Sequence, residues 1–567
     1  MKRARSEMSG HTIRMILFTR QVVDRPLQPM PCAAPDAPQP CLDLSSPAHP
    51  GARDTLHVQT DERSIFSRGP DWWLYVATPV GVACFPALTE LLAQAQSQGL
   101  DAVLDGLEDL RPVAYVAGCL RSGNLHFGRS LDGFTSLFFG HDHRRLVIGD
   151  ARTEVARQLG EVRLSRADEQ RWCRDFLLEP EGSFYEDVKR CFAGVRYRVP
   201  AARLEPDRRR LMAPESRVLA EADPVRILTD GLRQIFRTYG NRKVALRLSG
   251  GADSRVLLVG LMDAVRQGIL QRDQVLCTSV LFPGFECDEG PVIRRIVELS
   301  GFEWVGVEAT ADTMRDAHQH CLSLPTPPFP TSFMGVLCAQ EAHRRDADLL
   351  LTGHGGDELF DYNLLDLMGH PLVARIQNAL AVETLWGTDS WKDSLKAAVR
   401  IVAGRYSLRG VRRLLALHAL PGRSLHAHRL GRRLVLARGC GYEMVSHTTA
   451  RYSMCTDIPL LRGPFLMRMD PTFPRFARRR HGKEIAHAYM RTHATEVAAV
   501  TSRKVAFGAP VNEFLFHAHR NSDTVDGSPG SLYAANVMYR DWKSQLASSD
   551  ESLSRKTGGL SHEWCGW

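Results

Sequence analysis

The feature that most constrains this chain is the segment 244–258, where an apolar run leads through a glycine-rich turn into a second apolar pattern. The first run predicts a buried strand, and the apolar residues that recur at helical spacing after the turn predict a helix. Gly250 and Gly251 lie in the turn, where the lack of side chains lets the backbone approach a ligand. The helix that follows presents backbone N–H groups to an anion. This order is typical of a phosphate site, although many such turns bind no phosphate.

The polar residues around this turn make phosphate binding a more specific prediction. The string is Ser-Gly-Gly-Ala-Asp-Ser, and it is not a Walker loop because the Gly-x-x-x-x-Gly-Lys-Ser/Thr spacing is absent. The hydroxyls of Ser249 and Ser254 add hydrogen-bond donors. Asp253 suits a phosphate site if it holds a metal ion, because Mg²⁺ on phosphates is commonly bound by one or two carboxylates.

A second segment, 349–360, repeats the plan of apolar strand, glycine-rich turn and acidic pair. The first string resembles the pyrophosphate loop of the asparagine-synthetase-like ATP pyrophosphatases. The second resembles the Ser-Gly-Glu-Gly-Ser-Asp-Glu-Leu-Phe motif of the same enzymes, with His354 in place of a glutamate. Members of this family cleave ATP between the α and β phosphates and form an acyl-adenylate.

The resemblance implies an α/β fold with a doubly wound parallel sheet and helical additions, in which both turns lie at the carboxyl ends of strands. It implies ATP and Mg²⁺ as cofactors, with Asp253 and Asp357 holding the metal ion. The residues implied to bind ATP and pyrophosphate are Leu248, Ser249, Gly250, Gly251, Asp253, Ser254, Val280, Thr352, Gly353, Gly355 and Gly356.

A third string, from Thr501 to Pro510, resembles the family's Arg-x-Lys-x-x-Phe-x-x-Pro motif. The resemblance implies that Lys504 is catalytic and stabilises charge on the adenylate and on the tetrahedral intermediate. A surface position is the alternative, because most lysines in a basic protein lie there. Upstream, the string 482–485 resembles the start of a family helix, and Arg462 stands where the family usually has aspartate.

Composition indicates several domains and no nucleic-acid partner. A chain of 567 residues is too long for one core. The net charge is +8, but no helix-turn-helix, zinc-finger or aromatic RNA-binding motif accompanies it. Solvated helix faces are the favoured explanation, although ATP or an acidic peptide would also be attracted. The 13 cysteines form no Cys-x-x-Cys pair and no apolar run is long enough to span a bilayer, which predicts a cytoplasmic protein with reduced thiols.

We predict four regions along the chain. Residues 1–60 are expected to be a disordered tail, because prolines punctuate a tract that is poor in large apolar residues. Residues 61–215 predict short strands and resemble the glutaminase domain of asparagine synthetases; 72–77 predicts a strand and 86–98 a helix. Residues 216–545 form the ATP-binding domain, and 546–567 a C-terminal tail.

The glutaminase-like domain is predicted to be inactive. In the family, an N-terminal cysteine that is exposed by removal of methionine attacks glutamine. Here Lys2 follows Met1, and the earliest cysteine, Cys32, lies in the proline-rich tract. A nucleophile needs an activating neighbour and a fixed position. We therefore expect the domain to serve packing or substrate binding, which argues against asparagine synthesis from glutamine.

His354 indicates the type of amide that is formed. An amine that attacks an acyl-adenylate arrives protonated, so a base is useful, and the intrinsic pKa of histidine suits that role. A histidine in this string resembles the lasso-peptide macrolactam synthetases, which join the N-terminal amine of a precursor peptide to an internal Asp or Glu side chain. A structural role, in which His354 only caps the turn, remains an alternative.

The resemblance thus predicts an ATP-dependent ligase that makes an isopeptide bond in a precursor peptide, with AMP and pyrophosphate as products. A leader-binding protein and a cysteine protease are candidate partners. The alternatives are a small-molecule amide or β-lactam synthetase, an ammonia-dependent asparagine synthetase, and a non-catalytic nucleotide-binding regulator. The presence of Asp253, Asp357 and Lys504 argues against the regulator.

Overall fold

A computed structural model shows a mixed α/β fold with antiparallel sheets in the amino-terminal part and a parallel sheet later in the chain. The residues that the structure describes are 16–22, 41–44, 52–58, 63–109, 112–130, 134–160, 163–175, 181–201, 203–211, 223–324, 326–328, 332–356, 360, 439–462, 483–501, 510–511, 514 and 537–545.

The amino-terminal part contains two antiparallel six-stranded sheets. The strands in chain order are β1 (Ile16–Val22), β2 (Cys41–Asp43), β3 (Ala52–Val58), β4 (Ser64–Arg68), β5 (Trp72–Ala77), β6 (Ala114–Cys119), β7 (Leu125–Arg129), β8 (Phe138–His141), β9 (Arg145–Gly149), β10 (Lys189–Arg190), β11 (Val195–Val199) and β12 (Asp207–Leu211). The first sheet has the order β10-β8-β9-β1-β3-β2 and the second the order β12-β11-β7-β6-β5-β4.

Apolar side chains from both sheets form a core between them. Phe18 of β1 stacks on Trp73 of β5 with ring centroids 5.5 Å apart, and Phe139 of β8 meets Phe127 of β7 at 5.3 Å. Aromatic rings supply large apolar areas, so these contacts stabilise the face-to-face packing of the sheets.

Helices cover the outer faces of this sandwich. Helices α1 (Pro86–Gln98) and α2 (Leu100–Asp109) pack on the second sheet, and α3 (Arg152–Leu159) packs on the first. Helix α4 (Arg166–Asp175) follows in the chain. The strand and the helix that the sequence predicts at 72–77 and 86–98 are both present with those bounds.

The prediction of a disordered tail over residues 1–60 was wrong for three segments. Strands β1, β2 and β3 lie within it and belong to the first sheet. Phe18 and Leu56 are fully buried, so this part of the chain does contribute to a core. The prolines fall between the strands: Pro26 to Pro40 separate β1 from β2, and Pro47 and Pro50 separate β2 from β3. Proline is disfavoured inside strands, so a proline-rich tract does not exclude strands in the proline-free segments between the prolines.

The later part contains a five-stranded parallel sheet. Its strands are β13 (Val244–Arg247), β14 (Val275–Leu281), β15 (Glu303–Glu308), β16 (Leu349–Thr352) and β17 (Cys455–Asp457), in the order β15-β14-β13-β16-β17. The strand β13 is therefore central, and the order reverses on its two sides. Ligands of open α/β sheets bind at such a switch point, beyond the carboxyl ends of the strands.

Helices cover both faces of this sheet, as expected for a doubly wound fold. The helices are α5 (Pro224–Arg237), α6 (Ala252–Arg266), α7 (Gly290–Ser300), α8 (Ala311–Leu322), α9 (Ser332–Arg344), α10 (Gly439–Arg451), α11 (Glu484–His493) and α12 (Thr495–Ala499). Val244 and Leu246 of β13 pack on the side of α5, α6, α7 and α11, whereas Ala245 packs on the side of α9. Single 3₁₀ turns occur at Val82–Cys84, Arg272–Gln274 and Pro459–Leu461.

The two parts of the chain touch at the end of the sheet formed by β17. The backbone N–H of Thr456 donates to the carbonyl of Pro79 at 2.9 Å. The buried guanidinium of Arg462 accompanies this contact: it donates to Asp457 at 3.2 Å and lies over the ring of Phe85, 5.2 Å from its centroid. Arg462, which stands where the family that the sequence resembles usually has aspartate, thus contacts the amino-terminal part.

No helix among the described residues is long and apolar enough to cross a membrane. The predicted C-terminal tail, 546–567, lies outside the described residues, as do the predicted site residues Asp357 and Lys504.

Candidate active site

The first glycine turn lies directly beyond the central strand β13 and is held by two serines. The hydroxyl of Ser254, on the first turn of α6, receives the N–H of Ser249 at 3.0 Å and lies 3.1 Å from the carbonyl of the same residue. The hydroxyl of Ser249 lies 3.0 Å from that of Ser254 and receives the N–H of Gly251 at 3.3 Å. The serines therefore fix the shape of the turn.

The amino end of α6 presents its first N–H groups at this turn. Gly251 is the residue before the helix, and no side-chain hydrogen bond from it caps the helix. The guanidinium of Arg255 holds the turn from behind, donating to the carbonyl of Gly250 at 2.6 Å and to that of Val500 at 2.6 Å. A helix amino end on a rigid turn of this kind can bind a phosphate group. Leu248 is 2 % exposed, and its side chain packs in the core beneath the turn.

Glu289 contacts the same turn, a role that the sequence did not indicate. Its carboxylate accepts the N–H of Gly250 at 2.9 Å. The sequence predicted that the acidic pair before α7 only begins a helix. Asp288 has that role, because its carboxylate accepts the N–H of Gly290 at 3.1 Å and that of Phe282 at 3.0 Å. Glu289 follows β14, the strand next to β13. The position of Glu289 after a strand that neighbours β13 was the signal in the sequence that could have indicated its contact with the turn.

The second glycine turn meets the first in one cleft. Strand β16 pairs in parallel with β13, and Thr352 is the register partner of Arg247, so both turns begin at the same edge. A Cβ atom on Gly353 would lie 2.8 Å from the backbone nitrogen of Ser254, and one on Gly356 would lie 2.3 Å from the carboxylate of Asp253. Only residues without side chains permit this approach.

Gly355 requires glycine for a further reason. Its φ angle is +86°, a left-handed conformation that L side chains rarely adopt. A Cβ atom there would also lie 2.4 Å from Cγ of Leu461. The second turn therefore packs on Leu461. The next residue, Arg462, contacts the amino-terminal part.

His354 lies in the second turn and is partly buried. Its Nδ1 atom is 2.9 Å from the hydroxyl of Thr352. In the tautomer in which Nδ1–H donates to that hydroxyl, the lone pair is on Nε2. The prediction that His354 belongs to the active-site turn has its geometric basis here, and its role as a base stays a prediction.

A lysine from far along the chain reaches the first turn. The Nζ atom of Lys483 lies 2.5 Å from the carboxylate of Asp253, and the two side chains are 12 and 22 % exposed. Lys483 precedes α11 and has a φ angle of +63°, which is uncommon for a residue with a side chain. In the sequence, Lys483 was identified only as part of a helix start. The structure therefore adds an ammonium group to the cleft, in the region where phosphates of ATP would carry negative charge.

The remaining predicted residue, Val280, lies near the end of β14, partly buried. Strand β14 is the direct neighbour of β13, so Val280 is at the same edge of the sheet as both turns. Its backbone contact with adenine stays a prediction.

The carboxylates of the cleft suit Mg²⁺ by ligand type, because this ion prefers oxygen and commonly binds through one or two carboxylates together with substrate phosphates. Asp253 is the described residue in the predicted pair, and it lies beside the amino end of α6. Within the described residues, no group of three or more His, Cys, Asp or Glu side chains forms a complete metal cage. Asp253 can therefore supply one ligand to an ion that the phosphates also hold.

Comparison with known proteins agrees with this site. A model of the asparagine synthase family matches residues 236–547. No curated protein matched the chain. The solved structures that it resembles include the U34-tRNA thiolase NcsA from Methanococcus maripaludis, at 14 % identity and a TM-score of 0.22 over 57 % of this chain and 78 % of that one.

A second similar structure is the glutamine phosphoribosylpyrophosphate amidotransferase from B. subtilis, at 12 % identity and a TM-score of 0.18. The match covers 39 % of this chain and 51 % of that one, so the chain spans about half of its length. An allosteric regulatory enzyme of purine biosynthesis matches at 12 % identity and a TM-score of 0.18, over 46 % of this chain and 67 % of that one. At these TM-scores the structures carry no argument about this chain.

The family model covers more than half of the 567 residues and contains both glycine turns, Glu289 and Lys483. Enzymes of that family are ATP-dependent ligases. The chain belongs to the asparagine synthase family.

Proposed function

We propose that this chain is an amide-forming ligase that activates an Asp or Glu side chain of a peptide and joins it to the amino group of the same peptide. The observation that carries the proposal is the single cleft in which two glycine turns, Asp253 and Lys483 meet. Its products would be AMP, pyrophosphate and a macrolactam. ATP use follows from the family, whereas the peptide substrate and the products are proposals.

In the first step, a carboxylate oxygen of the substrate attacks the α-phosphorus of ATP, and the bond from that phosphorus to the β-phosphate oxygen breaks. Pyrophosphate leaves with the bond electrons. The turn formed by Ser249, Gly250 and Gly251, with the amino end of α6, would bind the leaving phosphates through N–H groups. Lys483 would neutralise part of their charge. Mg²⁺ on Asp253 and Asp357 would supply further charge neutralisation on the phosphates.

In the second step, the neutral amine of the peptide attacks the carbonyl carbon of the adenylate, and AMP leaves. The amine loses one proton, and Nε2 of His354 is the atom proposed to accept it. The contact between Nδ1 and Thr352 fixes the ring, because it limits rotation of the imidazole. Lys504 is proposed to stabilise the oxyanion of the tetrahedral intermediate.

The amino-terminal sandwich is proposed to make no ammonia. Its described Cys191 lies in the core between the sheets, fully buried. Burial raises the pKa of this thiol well above its ordinary value, which disfavours the thiolate needed for attack. Without a glutaminase reaction, the amine would be free ammonia or an amino group of the substrate, and the proposal assigns it to the amino terminus of the peptide.

The test uses the full chain with MgATP and synthetic peptides that carry a free amino terminus and one internal Asp or Glu. We expect pyrophosphate release and a product that is lighter than the peptide by one water. An N-acetylated version of the same peptide should support pyrophosphate exchange but form no ring. Free aspartate with ammonia, if it alone supports turnover, would identify an asparagine synthetase and refute the peptide proposal.

A matched variant separates the two steps. His354→Ala should slow ring formation more than pyrophosphate exchange, because the proposed base acts only after adenylation. An equal loss in both steps would show that His354 shapes the turn and does not act as the base. Asp253→Asn should abolish exchange, and retained exchange would contradict the metal-binding role.

A further inference from the structure

Arg247 is the last residue of β13, the central strand of the parallel sheet, and follows three buried apolar residues. Its register partners on the two neighbouring strands are Thr278 and Thr352. Side chains of in-register residues in parallel strands point to the same face. Ala245, two residues earlier in β13, packs on the α9 side, so alternation places Arg247 on that side as well.

The guanidinium of Arg247 lies against helix α9. A Cβ atom on Gly335 of α9 would lie 3.7 Å from Nη1 of Arg247, at van der Waals distance, so the absence of a side chain at Gly335 lets the cation lie close to this helix. Arg247 is partly buried, and burial lowers the pKa of its guanidinium without removing the charge. No carboxylate or carbonyl among the described residues makes an ion pair or hydrogen bond with it.

This placement separates Arg247 from the phosphate turn and joins it to His354. Helix α6, with the phosphate turn at its amino end, packs on the opposite face of β13. The hydroxyl of Thr352, on the face of Arg247, contacts the imidazole of His354. The cation therefore stands on the side of the cleft where the amine and the acyl group would react.

We propose that Arg247 binds a carboxylate that the substrate keeps throughout the reaction, so that the acyl substrate is an acid with at least two carboxylates. The inference rests on the proposed function, because it names the substrate class of that cleft. An unpaired, partly desolvated cation costs stability, and a carboxylate ligand would offset that cost by a charge-assisted, bidentate contact. For a peptide substrate, the second carboxylate would be another acidic side chain.

The experiment measures binding without chemistry. The full chain is loaded with an ATP analogue that cannot be cleaved between the α and β phosphates, and titrated calorimetrically with three peptides. The first peptide has a free amino terminus, an amidated carboxyl terminus and two acidic side chains. In each of the other two peptides, a different one of the two acidic side chains is replaced by its amide. Arg247→Leu should weaken binding of the two-acid peptide at least tenfold, which corresponds to 1.4 kcal/mol. One of the two amide peptides should bind the wild-type chain at least tenfold more weakly than the two-acid peptide does. Arg247→Leu should not weaken the binding of that amide peptide any further.

Two control variants keep the test decisive. Arg315→Leu removes an exposed arginine of α8 and should change no affinity. Arg247→Lys keeps the charge and should restore part of the loss. If Arg247→Leu weakens binding of the ATP analogue and spares the peptides, the residue binds phosphate and the inference is overturned. Equal affinity of wild type for all three peptides, including no binding of any of them, also overturns it. Normal peptide discrimination without pyrophosphate exchange would instead refute the proposed function while the inference stands.

Discussion

The contact between the two glycine turns can be tested by adding one methyl group, in Gly353→Ala. The new Cβ atom would lie 2.8 Å from the backbone nitrogen of Ser254 and 3.1 Å from the carbonyl carbon of Asp253. Both atoms belong to the backbone at the start of α6, so no side-chain rotation can relieve the contact. Overpacking of this kind typically costs about 1–3 kcal/mol. The turns must move apart to accept the methyl group, and misplacement by about 1 Å can reduce an enzyme's rate by about 100-fold.

The assay for Gly353→Ala combines calorimetric MgATP binding with thermal unfolding. We expect a lower melting temperature and at least tenfold weaker MgATP binding, since the phosphate turn is displaced. Gly268→Ala is the matched control, because Gly268 has a φ angle of +69° at the far end of α6 and nothing within 4 Å of an added Cβ. Strain of that conformation costs about 1–2 kcal/mol. The control should therefore lose stability and keep normal MgATP binding. Wild-type binding and stability in Gly353→Ala would refute the shared cleft.

Three further predictions follow from individual side chains. Lys483→Met should weaken MgATP binding at least tenfold in calorimetry, whereas Lys543→Met, which removes a comparable 2.6 Å pair with Glu169, should leave it unchanged; equal affinities in the two variants would contradict the phosphate role. Arg247→Leu should raise the melting temperature, because it removes a desolvated charge, and a lower value would reveal a structural partner. Burial lowers the pKa of His320 to about 4, so its contribution to stability is complete above pH 6.5 and is lost as the pH falls towards 4. Denaturant titrations should show that His320→Gln reduces this acid loss by up to about 3 kcal/mol, and an unchanged pH profile would contradict the assignment.

The sequence was sufficient to predict a strand, a glycine turn and a helix around Ser249, because these depend on neighbouring residues. Ser249, Ser254 and the two glycines form the first turn by contacts within six residues of each other. The glycines of the second turn were predicted in the same way. The parallel sheet followed from apolar strands alternating with helical patterns, because that alternation admits few topologies.

The parts that were missed depend on distant contacts. Lys483 meets Asp253 across 230 positions, and only the packing of α11 on α6 brings them together. Glu289 reaches Gly250 because β14 lies beside β13, which the sequence indicates only once the strand order is known. The strands within residues 1–60 were missed because proline content describes the connections and says little about the short apolar segments between them.

The packing of Gly355 on Leu461 has a consequence for the amino-terminal sandwich. Leu461 is followed by Arg462, whose side chain lies against Phe85 of the sandwich and is tied to Asp457 in the strand beside β16. Under the proposal that the sandwich makes no ammonia, it would support the position of the turn that carries His354. An isolated ATP-binding half would keep all the proposed reacting groups and lose the contact that supports one of them, His354.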